Sequence, residues 1–386
     1  MFYKYSKFEL KVLLKNRKQL FLGLVLIVFF SIYFQIYLNS EPPTLVNQKE
    51  AEWEKQSIVV NSLTPELRET DQEVYDNYVE QLSILGMQIY YLKNNFGREN
   101  TQYISDGLRL NELRLAMHEQ GNPYISNSLT IPIEEINKEN VLLNYLDDHN
   151  MIEEDNPFVT SQFMLAAINL LSGIFLFTIV LILCSDMLVY EREHDSVLKA
   201  LPLSFGTKAI SKVSLYFIFT VISLIVGIIF GVLRSATSEG LGNFSYPTII
   251  FSGDEFIAIP IMQYALYAFL AAIVGIFMTV CLTLLLNVFI KNMYGVVLAG
   301  LGLFFLPDLL YLVGVKAKFL YPIKFIDISG VLSGDFATKL NDSTIHYWNS
   351  VLSMIGFTII VIGIIAVYNW YIFRQKAKSP RVSEAG

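Results

Sequence analysis

Residues Gln19–Ser40 read QLFLGLVLIVFFSIYFQIYLNS, a run without a single charge between Lys18 and Glu41. A bilayer crossing takes about 20 mostly apolar residues, so this run is long enough to span. A secretory signal peptide also begins basic and continues apolar, but here the apolar stretch is too long. Ile36 to Pro43 also offers no small-x-small cleavage pattern. The run therefore reads as a retained anchor.

Five further runs of the same kind follow. Residues 156–185 carry no charge between Asp155 and Asp186, and residues 213–233 lie between Lys212 and Arg234. A fourth crossing is placed at 261–290, after Pro260. A fifth, at 293–315, weakens at Pro307 and Asp308, and a sixth occupies 351–373 before Arg374. The whole chain has the matching composition, with 53% hydrophobic residues, 16% charged and a mean hydropathy of +0.46. Soluble domains carry about 25% charged residues. The expected fold class is an all-α polytopic membrane protein with six transmembrane helices, an N-terminal amphipathic elbow and a mostly helical extracellular domain between spans one and two.

Lysine and arginine near span ends are retained in the cytoplasm. The N-terminal tail has Lys4, Lys7, Lys11, Lys15, Arg17 and Lys18 against Glu9, and the tail 374–386 has Arg374, Lys376, Lys378 and Arg381 against Glu384. Both termini are thus expected in the cytoplasm, with the protein multi-pass in the plasma membrane. Segment 41–155 then faces outside. It holds 22 acidic against 8 basic residues, net −14, and leaves +7 for the remainder. Segments 234–260 and 316–350 become outer loops, and Pro307 with Asp308 suggests that span five ends early and that the second loop is re-entrant. Its four lysines dissent mildly from that side.

Within 1–18, Tyr5, Phe8 and Val12 recur at helical spacing with Phe2 one turn earlier and lysines opposite, the pattern of an interfacial helix. In the outer segment, Thr64-Pro65-Glu66 reads as a helix start. Tyr75, Tyr78, Val79, Leu82, Leu85 and Ile89 then form one helix face, and further helices are expected around 101–120 and 132–146. Strands have little support in that segment. Asp147-Asp148-His149 with Glu153-Glu154-Asp155 has hard-cation ligand types without the spacing of a calcium loop, so a solvated acidic loop is preferred. Cys184 and Cys281 sit at the expected inner ends of spans, away from an oxidising compartment; neither a disulfide nor a metal is expected. Gly227 and Gly231 form a G-x-x-x-G pair that permits close helix approach, within the chain or between subunits.

The inner segment 186–212 is the most distinctive. It includes Tyr190-Glu191-Arg192-Glu193-His194-Asp195-Ser196 and ends a short amphipathic stretch at Leu201-Pro202. Its charges nearly cancel, so it is more than a basic retention signal. The spacing of Glu191, Glu193, Ser196, Leu201 and Pro202 resembles the coupling loop of ABC transporter permeases of the type-2 exporter family. Ser196 follows His194-Asp195 where many members of that family have a glycine-threonine pair. The resemblance covers residues 1–18 and 156–373. It implies a six-span half that pairs with a second permease half, identical or different. It also implies that the elbow and the inner loop dock on a separate ATP-binding subunit holding ATP and Mg. Glu191, Arg192, Glu193, Leu201 and Pro202 would then couple nucleotide-driven movement to the spans.

No G-x-x-x-x-G-K-[ST] phosphate loop occurs in the chain, so hydrolysis is expected in the partner, with no catalytic residue or cofactor here and no nucleic-acid partner. An amphipathic or hydrophobic cargo, such as a peptide, drug or lipid, is expected from the family's breadth. The alternative is a membrane-anchored sensor or immunity protein that binds a cationic peptide through the acidic outer domain. A proton-coupled carrier fits less well, because ionisable residues are scarce in the spans.

Overall fold

The computed structural model describes residues 2–40, 42, 44–64, 66–94, 102–151, 156–193, 203–253 and 255–378. The protein is 78% helical. Five helices are long and apolar enough to cross a membrane, and a bent pair of shorter helices makes six if the pair is one span. The chain is a helical, multi-pass membrane protein. It divides into two compact units, one of residues 1–34, 164–234 and 265–386, the other of residues 35–163 and 235–264.

The first unit begins with α1 (Phe2–Lys15) and, after Asn16, α2 (Arg17–Asn39). The Asn16 side-chain oxygen accepts from the Lys18 amide at 3.0 Å, so one residue ends the first helix and caps the second. The bent pair is α8 (Thr160–Leu171) and α9 (Ile174–Cys184), related by 58°. A short helix, α10 (Val189–Glu193), follows. The long α11 (Phe205–Glu239), α12 (Ile261–Phe289), α13 (Met293–Leu312) and α17 (Tyr347–Lys378) complete the apolar set. Large apolar side chains such as Phe21, Ile222, Leu298 and Ile359 stand exposed on these helices. Hydrogen-bonded helices with apolar exteriors are what a lipid environment accepts.

Close approach of α2 and α11 rests on glycine. A Cβ at Gly227 would lie 2.4 Å from the Leu26 carbonyl oxygen, and one at Gly231 would lie 2.4 Å from Phe30 Cβ. The G-x-x-x-G pair therefore packs within the chain.

The α8–α9 break is set at Gly173, whose φ is +74° and ψ −134°. An L side chain is strained there, and a Cβ would also meet the Asp327 carboxyl carbon at 3.0 Å. Gly173→Ala should lose about 1–3 kcal/mol of stability, read as a lowered melting temperature in detergent. A melting temperature equal to wild type would contradict this backbone geometry.

Pro307 does not end span five as expected; α13 runs through it to Leu312. Proline's missing donor and ring clash are tolerated in membrane helices where neighbours compensate. Asp308 is neutralised by ion pairs with Lys324 and Lys339, and the Lys324 ammonium also lies 4.0 Å from the Phe304 ring centre. Lys318 pairs with Asp342 at 2.7 Å. Three of the four lysines that dissent from the expected orientation are thus matched by acids. After α13 the chain folds into a 3-10 turn, Lys318–Leu320, then α14 (Tyr321–Lys324), α15 (Ile328–Leu332) and α16 (Asp335–Leu340). Ile323 and Ile326 from this stretch join a buried cluster with Phe177, Leu181, Leu282 and Phe304.

The second unit contains α3 (Leu45–Ser62), α4 (Leu67–Thr70), α5 (Gln72–Lys93), α6 (Gln102–Glu119) and α7 (Ile133–Asp148). Its core gathers Val59, Val74, Tyr78 and Met117. The long helix expected from Pro65 is split, with α4 ending at Asp71 before α5 begins; Pro65 itself lies outside the described residues. The buried row of α5 is Val74, Tyr78, Gln81, Leu85, Gln88 and Tyr91, while Val79 is exposed. Segment 234–260, expected as an outer loop of an all-α protein, instead continues α11 to Glu239 and then forms an antiparallel hairpin. Its strands are β1 (Pro247–Ser252) and β2 (Glu255–Pro260), with Pro247 opposite Pro260. Gly253 supplies the positive φ, +81°, that a tight hairpin turn needs. Phe251 and Phe256 pair across the strands at 5.5 Å.

Candidate functional site

The short helix α10 carries Glu191, Arg192 and Glu193 and sits in a polar network built from five elements of the first unit. α1 turns Tyr5, Glu9 and Leu13 inward and leaves Lys4, Lys7, Lys11 and Lys15 exposed. The expected face of Tyr5, Phe8 and Val12 is thus rotated: Tyr5 is buried, Phe8 is exposed and Val12 is half-buried. The cause is Glu9. Its carboxylate pairs with Lys212 of α11 at 2.8 Å, with both side chains almost wholly buried (5% and 2% exposed). Burial of such a pair is tolerable only when the charges meet each other and hydrogen-bond partners.

Glu191 completes this cluster. Its carboxylate accepts the Tyr5 hydroxyl at 2.5 Å and lies 3.9 Å from the Lys212 ammonium. The Tyr5 phenol is held well above its ordinary pKa, by burial first and then by the Glu191 and Glu9 carboxylates. It therefore stays protonated and remains a donor. Ser6 and Ser211 share a 2.8 Å hydrogen bond beside it.

Arg192 reaches in another direction. Its guanidinium donates to the carbonyls of Asn287 and Ile290, the second at 3.2 Å. Those carbonyls belong to the C-terminal end of α12, where the last acceptors of a helix lack intrahelical donors and the macrodipole is negative. A cation is the natural cap there. Asn287 in turn donates to the Cys184 carbonyl at 3.2 Å, so the end of α9 is fastened to α12.

A second acid, Asp186, links the α9 end to α2. It pairs with Lys18 at 2.9 Å and accepts from Asn16 at 3.1 Å and Gln19 at 3.3 Å. Gln19 also donates to the Tyr216 hydroxyl of α11. Buried oxygens on Glu9, Gln19 and Asn287 lack hydrogen-bond partners among the described residues. A buried polar network that is partly satisfied is sensitive to small shifts of its members.

Of the residues picked out in the sequence, Tyr5, Glu191 and Arg192 meet in this network, and Glu193 is exposed. Ser196, Leu201 and Pro202 lie outside the described residues. Gly227 and Gly231 serve the α2 contact away from it. Sequence reasoning missed Glu9, Lys212, Asp186 and Asn287. The available signal was Glu9 itself, a lone acid in a basic tail, one helical turn after Tyr5.

The second unit has its own buried ionic group. Lys49 pairs with Glu139, and Arg114 bridges Glu52 at 2.8 Å and Glu139 at 3.4 Å. Desolvation pushes the Glu139 carboxyl upward, but Lys49 and Arg114 outweigh it and hold the pKa below the usual range. This group cross-links α3, α6 and α7 and presents no free acidic cradle. Asp147 and Asp148 are exposed, and His149 stacks on Tyr145. Glu153, Glu154 and Asp155 lie outside the described residues. Among the described residues no group of three or more histidine, cysteine or acidic side chains is placed to hold a metal. Cys184 and Cys281 are buried free thiols.

The chain matches no family model, no curated protein and no solved structure.

Proposed function

We propose that the chain is the permease half of an ATP-driven exporter, in which α10 transmits the movement of a separate ATP-binding subunit to the apolar helices. The observation that carries this reading is the wiring of one five-residue helix. Glu191 and Arg192 join it to α1, α11 and α12 at once, while Glu193 is left exposed on the same helix. A force applied at α10 would reach three helices through charged and polar contacts. The spacing that runs on to Ser196, Leu201 and Pro202 supports the same reading, as does the basic, partly exposed α1.

On this reading two halves enclose a path for an amphipathic or hydrophobic cargo, and ATP and Mg are held by the partner subunit. The basic termini face the cytoplasm and the acidic segment 41–155 faces outward.

The roles of the three charged residues then separate. Glu193→Ala should weaken assembly with the ATP-binding subunit, because this carboxylate is exposed on α10. Arg192→Ala should leave assembly intact but lower cargo-stimulated ATP hydrolysis about ten-fold, since it removes the connection to α12. Both are read by co-purification yield and by hydrolysis in reconstituted vesicles. If neither variant changes either quantity, α10 is not the coupling element.

A further inference from the structure

The first unit carries a half-open apolar cavity of about 270 Å³, lined by side chains that include Ile168, Leu171, Leu224, Ile228, Ala268 and Ala272. An apolar cavity of ~150 Å³ stays dry and accepts benzene, so this one has room for a longer alkyl chain. Ser172 is the one polar residue in the lining, and its hydroxyl lies 3.0 Å from the Asp327 carboxylate. Asp327 itself falls between Ile326 and Ile328, both of which line the cavity.

Asp327 differs from the other acids of this unit that lie near buried surfaces. Asp186 has Lys18, Asp308 has Lys324 and Lys339, and Asp342 has Lys318. Among the described residues Asp327 meets no lysine, arginine or histidine. Its Oδ1 caps α15 by accepting from the Gly330 amide at 3.2 Å, and its Oδ2 accepts no hydrogen bond there. A half-buried carboxylate with an unpaired oxygen attracts a cation more strongly than one in open water. The apolar space beside it selects what that cation is attached to.

We propose that this cavity binds a single-chain cationic amphiphile, with the alkyl chain among α8, α11 and α12 and the positive head on the free oxygen of Asp327. An anionic chain of equal length is disfavoured by the same carboxylate. Binding is a property of this chain alone, whereas its status as cargo rests on the exporter reading. Failure to find an ATP-binding subunit would therefore leave the site standing.

The test uses the full chain in phosphatidylcholine nanodiscs, photolabelled with a diazirine-bearing dodecylamine and mapped by mass spectrometry. Labelling should fall on peptides covering 164–172, 224–229 and 265–272. It should be displaced by dodecyltrimethylammonium but not by dodecyl sulfate or dodecyl maltoside. Asp327→Asn keeps the α15 cap, since asparagine caps equally well, and should lower the displaceable labelling at least ten-fold. Ala272→Phe should abolish it by filling the cavity, and Ala268→Leu serves if the phenylalanine variant does not fold. Equal labelling of Asp327→Asn and wild type, displacement by all three amphiphiles alike, or no displaceable label in the cavity would each overturn the proposal.

Discussion

Replacing Lys212 by methionine should destabilise the protein by about 3–5 kcal/mol, the range for removing one member of a buried ion pair. Glu9 would lose its cation at 2.8 Å and Glu191 the same cation at 3.9 Å. The Glu9 carboxylate could not turn to water, because Glu9 is 4% exposed and its second oxygen already lacks a partner among the described residues. Most of the loss would come from stranded charge rather than from the missing attraction. Lys212→Met combined with Glu9→Gln should accordingly recover more than half of the stability, read as melting temperature in detergent. If the double variant melts no higher than the single, the two groups do not form the buried pair described here.

The second large effect belongs to Gly227. Gly227→Val should cost at least the ~1–3 kcal/mol typical of overpacking, because a Cβ would fall 2.4 Å from a backbone oxygen that cannot rotate away. α2 and α11 would have to separate along their contact. Gly363→Ala in α17 is the control, since nothing lies within 4 Å of a Cβ there. That change should be neutral or slightly stabilising, as alanine favours helix by up to ~1 kcal/mol over glycine. Equal melting of the two variants would show that α2 and α11 are not in glycine-mediated contact.

The apolar helices were legible because their signal is length and absence of charge, which needs no partner. Gln19–Ser40, 213–233 and 261–290 fall within or beside α2, α11 and α12 for that reason. Features that depend on a partner were not legible. The buried row of α1 turns toward Glu9 only because Lys212, some two hundred residues later, receives it. The break at Gly173 depends on Asp327 occupying the space a side chain would need. Pro307 reads as a stop signal, yet α13 passes through it with Asp308 neutralised by two lysines from the following segment. The hairpin 247–260 carries a proline at each end and aromatic residues at its turn. In a loop between apolar runs that short pattern is easily overlooked.

The candidate site was half legible. The resemblance drew attention to Glu191, Arg192 and Glu193 as groups facing a partner. The structure divides them, turning two into the protein and leaving one outside. Charged residues in a loop are ordinarily read as solvated, and only the position of the α12 carbonyls explains why Arg192 is not.

The proposed function makes this chain one half of a machine whose energy comes from another polypeptide. It is tested most directly by purifying the tagged full chain from its native membrane in mild detergent and identifying what accompanies it. An ATP-binding subunit with a phosphate loop should co-purify in equimolar amount, reduced by Glu193→Ala and retained by Arg192→Ala. Recovery of the intact chain with no nucleotide-binding subunit would contradict it.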